Sequence, residues 1–471
     1  MTTVADAAPT ATIDPAAAIP IVDWGSLVLR AGRVATVLPH IAWLLRFAQT
    51  VPREALEQEA RRLAATPYGF GRRVAPARVP AGRARWRPVC EPPAVALAET
   101  PALGPVGLAA WLDRELGVPL DPERGAGWRL AATPTDGGGT AVLVVCHHLF
   151  GTGGGILSAL YGDDHQDPTI GTTETPFTSD STFTVWEEAR NVGERFRLGA
   201  RGVAELAGEV PAALRSRSRR NGVAPPGPAA LKAPRGRDRT RRPPSNLRVA
   251  AIASLPATAW DAAAARWGGS GNTLLAAVTT NLLRRARIAR GGPAKRNLRL
   301  LLPVDLQDRE VADTAGRSSG PGAQMTTAAV LVPGGQPEHG ELRELRERMK
   351  AAFLADTGTA PVVRGAGDAM RLLPEPLTFR LAARAALRFD GCASNVGVVP
   401  ERMLRLEGHD ASDVAMLGFP IGNETLTVLI RHRDRVTVSV VTDPLRLGSA
   451  AELRAWLAAE LDAWGLTDVV W

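Results

Sequence analysis

The chain has 471 residues, 45% of them hydrophobic and 22% charged, with a formal net charge of +8 at pH 7. At about 100–200 residues per domain this is two or three domains, and the composition excludes a disordered or collagen-like chain. Cys90, Cys146 and Cys392 are the only cysteines and form no CxxC pair, which excludes a disulfide framework and a structural zinc site and fits a reducing, cytoplasmic setting.

Residues 1–19 are rich in Ala, Thr and Pro and include Asp6 and Asp14. They read as a flexible tail, because a secretory leader needs a basic start and a continuous apolar core. No run approaches the roughly 18–20 apolar residues of a membrane-spanning helix, which leaves at most a weak peripheral membrane contact. The positive charge raises the question of nucleic acid. Arginine is spread through the chain together with Ala, Gly and Pro, there is no zinc-finger spacing, and only two tyrosines are available for base stacking. No nucleic-acid partner is expected.

In chain order, Thr140 to Leu149 is a short apolar, β-branched run after the turn cluster Asp136-Gly137-Gly138-Gly139, the pattern of a buried strand. Gly153 to Tyr161 follows with helix-compatible spacing. From Pro211 to Arg248 arginine and proline alternate too densely to bury a core, so residues 211–247 read as a crossover linker, with a patch for an acidic partner or anionic lipid as the alternative. That linker separates a first lobe, 20–210, from a second, 248–471. The second half should hold a strand over Leu247 to Leu255, a helix over Thr273 to Ala289, a strand over Leu298 to Val304, a helix over Glu341 to Ala355, and strands over Leu426 to Ile430 and Val436 to Val441. Ser449 and Glu452 have capping-box spacing for a final helix ending near Trp464. Strands and helices mix in both halves, so the fold class is α/β.

The stretch Cys146-His147-His148-Leu149-Phe150-Gly151-Thr152-Gly153 concentrates two of the seven histidines at a strand end before a glycine turn. Side chains alternate across a strand, so one histidine should line a cleft while the other is held inside the fold. That placement does not suit joint chelation, and no metal site is expected. A neutral imidazole is a competent general base near pH 7, but a purely structural pair fits the pattern as well. No GxSxG elbow supplies a serine, and Cys146 reads as a small core residue. Arg284, Arg285 and Arg287 read as a solvated helix face, with a phosphate-attracting role as the alternative.

This stretch resembles the HHxxxDG motif of the CoA-dependent acyltransferase superfamily, which includes chloramphenicol acetyltransferase, peptide-synthetase condensation domains and wax ester synthase/diacylglycerol acyltransferases. Leu116 to Asp121 with Trp128-Arg129-Leu130 resembles the family's "PLD…PLWR" segment. Asn272 to Val278 resembles its "NDVLLAAV" helix, Leu302 to Leu306 its "VPVSLR" strand, and Ser394 to Gly397 its "SNVPGP" turn. Thr152, Thr273 and Gln307 stand where that pattern has Asp, Asp and Arg.

The resemblance implies two chloramphenicol-acetyltransferase-like lobes around a central channel and transfer of an acyl group to an alcohol or amine acceptor. The donor would be a thioester of CoA or of an acyl or peptidyl carrier protein, a co-substrate, with no permanently bound cofactor. It implies His148 as general base, with His147 and Thr152 as structural support. Gly153 and Gly154 would stabilise the oxyanion, and Asn395 would position substrate. Specialised-metabolite and lipid biosynthesis both fit. A catalytically inactive, condensation-like module that binds a carrier protein or pathway intermediate is the alternative.

Overall fold

The computed structural model describes residues 29, 39–66, 70–79, 82, 84–88, 91–98, 101–151 and 153–161, scattered positions from 185 to 204, and then 248–293, 296–305, 325–335, 339–354, 377, 389–419 and 425–467. The expected tail, the linker, Cys90, Thr152 and Gln307 lie outside the described residues.

Two sheets organise the chain. The first has the order β13-β1-β6-β5-β4. It contains β1 (His40–Phe47), β4 (Ala96–Leu97), β5 (Trp128–Thr135), β6 (Gly139–His147) and β13 (Asp413–Gly418). The second has the order β7-β15-β14-β10-β8-β9. Its members are β7 (Val249–Pro256), β8 (Leu298–Asp305), β9 (Met325–Val332), β10 (Gly391–Val398), β14 (Thr425–His432) and β15 (Arg435–Thr442). Two small hairpins flank them, β2 (Arg72–Ala75) with β3 (Arg85–Pro88), and β11 (Arg405–Leu406) with β12 (His409–Asp410).

Helices among the described residues include α1 (Arg53–Ala65), α2 (Pro105–Leu116), α3 (Gly153–Tyr161), α4 (Ala257–Arg266), α5 (Gly271–Ala289), α6 (343–354) and α7 (Ala450–Ala463). The helices and strands read from periodicity in the second half are present, with ends moved by one or two residues. Helix α5 starts at Gly271, two residues before the apolar run, because the Ser270 side chain accepts the Thr273 N–H and caps it. Helix α7 carries the expected capping box, in which Ser449 and Glu452 satisfy each other's backbone N–H groups.

Two readings are corrected. The strand expected to run to Leu149 stops at His147, and His148–Phe150 form a 3₁₀ turn. The Ser394 to Gly397 stretch is part of strand β10, where the register shifts between Asn395 and Gly397 as in a bulge.

Strand β13 comes from the second half of the sequence yet pairs antiparallel with β1, Ile41 opposite Gly418 through Arg46 opposite Asp413. A polar cluster fixes its start. Asp413 Oδ1 accepts from Ser254 Oγ at 3.1 Å and lies 3.0 Å from His432 Nε2, with Ser254 and His432 buried in the second sheet. Further along, the Ser439 hydroxyl donates to the Met416 carbonyl. One apolar cluster then spans both sheets, joining Leu44, Trp111, Leu143 and Leu417 to Ala250 and Val441. Helix α2 adds a polar tie there, because the Asp113 carboxylate accepts the Ala250 N–H at 2.9 Å.

Candidate active site

Strand β6 is buried along its whole length between β1 and β5. Its end is fixed by backbone hydrogen bonds from both neighbours. The His147 N–H donates to the Gly127 carbonyl at 2.8 Å, and the His148 N–H donates to the Pro39 carbonyl at 2.6 Å, just before β1. The His147 side chain then turns the chain, its Nδ1 accepting the Leu149 N–H at 3.2 Å. Gly151 closes the turn at φ 154° and ψ −171°, a conformation essentially restricted to glycine. His148 is therefore held at the head of a rigid turn, half-buried, while His147 is only 2% exposed.

Burial keeps all of these imidazoles neutral, because the charged form loses its hydration. It lowers His148 below its ordinary value, against hydrogen bonding to the backbone of His148 and Gly151. His147 falls to about 3 through burial, with His40 and His148 adding to the shift. His40, absent from the sequence reading, sits directly opposite His147 in the β1–β6 ladder and is 1% exposed. It also falls to about 3, chiefly through burial. Its ring meets Phe419 edge-on at 5.2 Å and His147 at 6.4 Å between centroids. A lone histidine forty residues into the chain carries no motif; only strand pairing brings it to the site.

Behind the turn lies an aromatic stack. Phe150 packs on Trp86 and Phe70, and Phe70 stacks on Trp128 and Trp43. A Cβ on Gly127 would lie 2.8 Å from the Phe150 ring. The buried Arg72 guanidinium lies over the Trp86 ring at 4.2 Å and donates to the Phe150 carbonyl at 3.1 Å. A cation and a carbonyl thus tie hairpin β2–β3 to the turn that carries His148.

The structure brings the second half of the chain to this turn. A Cβ on Gly153, at the start of α3, would lie 2.8 Å from Met416 Cε of β13 and 3.4 Å from Val396 Cγ2 of β10. Gly153 and Gly154 are half-buried, as an opening helix end facing another element should be. Val396 is the neighbour of Asn395, whose Oδ1 accepts the Gly397 N–H at 2.9 Å and whose Nδ2 donates to Asn272 Oδ1. The bulge of β10 is thereby bonded to the start of α5. Thr273, where the family pattern has aspartate, is buried, and its hydroxyl lies 2.9 Å from the Ser270 hydroxyl. A neutral hydrogen-bonded pair occupies that position and needs no counter-ion.

Other sequence candidates fall away from the site. Cys146 is wholly buried and burial pushes its thiol up, which suits core packing. Arg287 is paired with Asp390 at 2.6 Å, and Arg284 donates to the Pro333 carbonyl. These two arginines are structural ties of α5, not a solvated face.

No family model matches the sequence, and no curated protein matches it. Solved structures do. The chain resembles the wax ester synthase/diacylglycerol acyltransferase of Marinobacter aquaeolei VT8 at 14% identity, covering 94% of this chain and 98% of that one, with a TM-score of 0.55. The chain has the fold of the CoA-dependent acyltransferases. The same fold relates it to TRI101 of F. sporotrichioides, solved with coenzyme A and T-2, at 14% identity, 95% and 98% coverage and a TM-score of 0.55. A third match is the starter condensation domain of rhizomide synthetase with C8-CoA and Leu-SNAC, at 13% identity, 96% and 94% coverage and a TM-score of 0.51. Within this acyltransferase fold, His148 stands at the turn where α3 meets β10 and β13.

Proposed function

We propose that the protein transfers an acyl group from a thioester, on CoA or on a carrier protein, to a hydroxyl or amine acceptor, with His148 as general base. The observation that supports this most is a half-buried imidazole, lowered by burial, on a turn fixed by β1 and β6, just before the helix start at Gly153 that packs against Met416 and Val396. His148 takes the acceptor proton as the acceptor oxygen or nitrogen attacks the thioester carbonyl. Collapse of the tetrahedral intermediate breaks the C–S bond, and the same proton passes to the departing thiolate. No acyl-enzyme forms.

The opening N–H groups of α3 at Gly153 and Gly154 are donors at a helix start and suit the developing oxyanion. Asn395, bonded to Asn272 and to its own bulge, positions the substrate by hydrogen bonding. His147 is a positioning residue, because its Nδ1 accepts from the turn it stabilises. Thr152 acts as a neutral support of the turn in this reading.

The test is thiol release from a panel of short to long acyl-CoAs with pooled alcohols and amines, the products being identified by mass. Acceptor-dependent release with a matching ester or amide supports acyl transfer and names the donor class. Absence of release from every CoA and from acyl-loaded carrier proteins, by protein that is folded, overturns it in favour of a binding module.

A further inference from the structure

A third imidazole stands behind the histidine pair. His40 and His147 face each other across the β1–β6 ladder. Because the His148 N–H bonds to the Pro39 carbonyl, this is a non-hydrogen-bonded position of the ladder, the kind at which facing side chains come closest. The two rings share their sheet face with Ala42, Leu44, Leu143 and Val145, all apolar and buried. His40 hydrogen-bonds to the backbone of Leu116, the last residue of α2, where helix carbonyls have no partner within the helix. Its Nδ1 is buried and has no hydrogen-bond partner, so Nε2 carries the hydrogen that meets Leu116. An acceptor left bare inside the fold costs stability, and packing alone does not account for an imidazole here.

The place of His40 joins three parts of the site. Its ring meets Phe419, just past β13, and His147. Its N–H holds the end of α2. Its own backbone follows directly on the Pro39 carbonyl, which accepts the His148 N–H at 2.6 Å. A shift of His40 therefore shifts that carbonyl, and with it His148, the first residue of the 3₁₀ turn.

We propose that His40 is a positioning residue for His148: its bond to Leu116 fixes the start of β1, so that the Pro39 carbonyl and the His147 ring hold the turn in place. This rests on the acyl-transfer reading, in which a base displaced by about 1 Å loses on the order of a hundredfold in rate. At 1% exposure, His40 itself is out of reach of acceptor and thioester.

The experiment compares the full chain with its His40→Phe, His40→Leu and His40→Gln variants. Phenylalanine keeps a ring and loses the donor. Leucine loses the donor in a smaller volume, so that overpacking is not mistaken for the lost bond, and glutamine keeps an N–H for Leu116. Circular dichroism establishes that each variant is folded. In acceptor-dependent thiol release, His40→Phe and His40→Leu should lose about tenfold or more in kcat while donor Kd stays within about twofold of the wild type, and His40→Gln should recover most of that loss. Amide hydrogen exchange, read by mass spectrometry over residues 147–151, should quicken in the two donorless variants and not in His40→Gln. Wild-type kcat and exchange in a folded donorless variant overturn the proposal, as does a glutamine variant that loses as much as the phenylalanine one. If the wild type itself releases no thiol, the acyl-transfer reading fails, and the exchange measurement still decides whether His40 holds the turn.

Discussion

The cluster that fastens β13 gives the sharpest stability prediction. Ser254 Oγ donates to Asp413 Oδ1 at 3.1 Å, and His432 Nε2 lies 3.0 Å from the same oxygen. The Val414 N–H donates to the same oxygen at 2.9 Å. Asp413→Ala leaves these donors without that acceptor in a site where Ser254 is 0% and His432 2% exposed. Each unsatisfied buried donor costs about 1–3 kcal/mol. His432 Nε2 keeps its hydrogen bond with Thr437 Oγ1 at 3.0 Å, so the loss falls on Ser254 and Val414 and is expected to be about 2–4 kcal/mol. Asp413→Asn keeps an oxygen acceptor and should lose less than half as much. Urea unfolding followed by tryptophan fluorescence reads both values from the first transition. If both variants lie within about 0.5 kcal/mol of the wild type, a surface-like effect, then pairing with β1 and apolar packing alone hold β13, and the latch reasoning is wrong.

Acid should unfold the protein through its buried histidines. His40 and His147 sit near 3 in the fold against an ordinary 6.5, so the unfolded chain binds the extra protons and stability falls as pH drops below 6.5, by about 1.4 kcal/mol per pH unit for each group. His40→Gln should flatten this slope in melting curves taken between pH 7.5 and 5. Asp113 behaves oppositely, since burial raises its carboxyl to about 6 from 3.8, and the fold is penalised above that pH. Asp113→Asn should raise the melting temperature at pH 8, with an advantage that shrinks as pH falls below 6. In catalysis, His148 must be neutral to accept a proton and is lowered by burial. The acid limb of kcat/KM should therefore lie below pH 6.5, with the rate flat across neutrality; a limb above 6.5 contradicts a half-buried His148 as base.

Much of this architecture is legible in local pattern. The β6–turn–α3 unit, β14, β15 and the capped α7 each follow from an apolar period bounded by glycines or a serine cap, signals contained within a dozen residues. What escapes reading is set by pairing across the chain. Strand β13 is six residues, and nothing local says that it leaves its own half to lie beside β1. The end of β6 at His147 is hidden because Leu149 and Phe150 continue the apolar run; the break comes from the Pro39 and Gly127 carbonyls and from Gly151's backbone conformation. His40 joins the histidine pair only through the β1–β6 register. The bond between Asn395 and Asn272 joins two short motifs that the sequence presents 123 positions apart.

The most direct test of the account compares wild type, His148→Ala and His147→Gln in acceptor-dependent thiol release with the preferred acyl donor, together with donor binding by calorimetry. Loss of a general base costs about 10²–10⁴ in rate, so His148→Ala should retain donor binding and lose at least a hundredfold in kcat, while His147→Gln loses less. Near-wild-type turnover by folded His148→Ala would contradict the central claim.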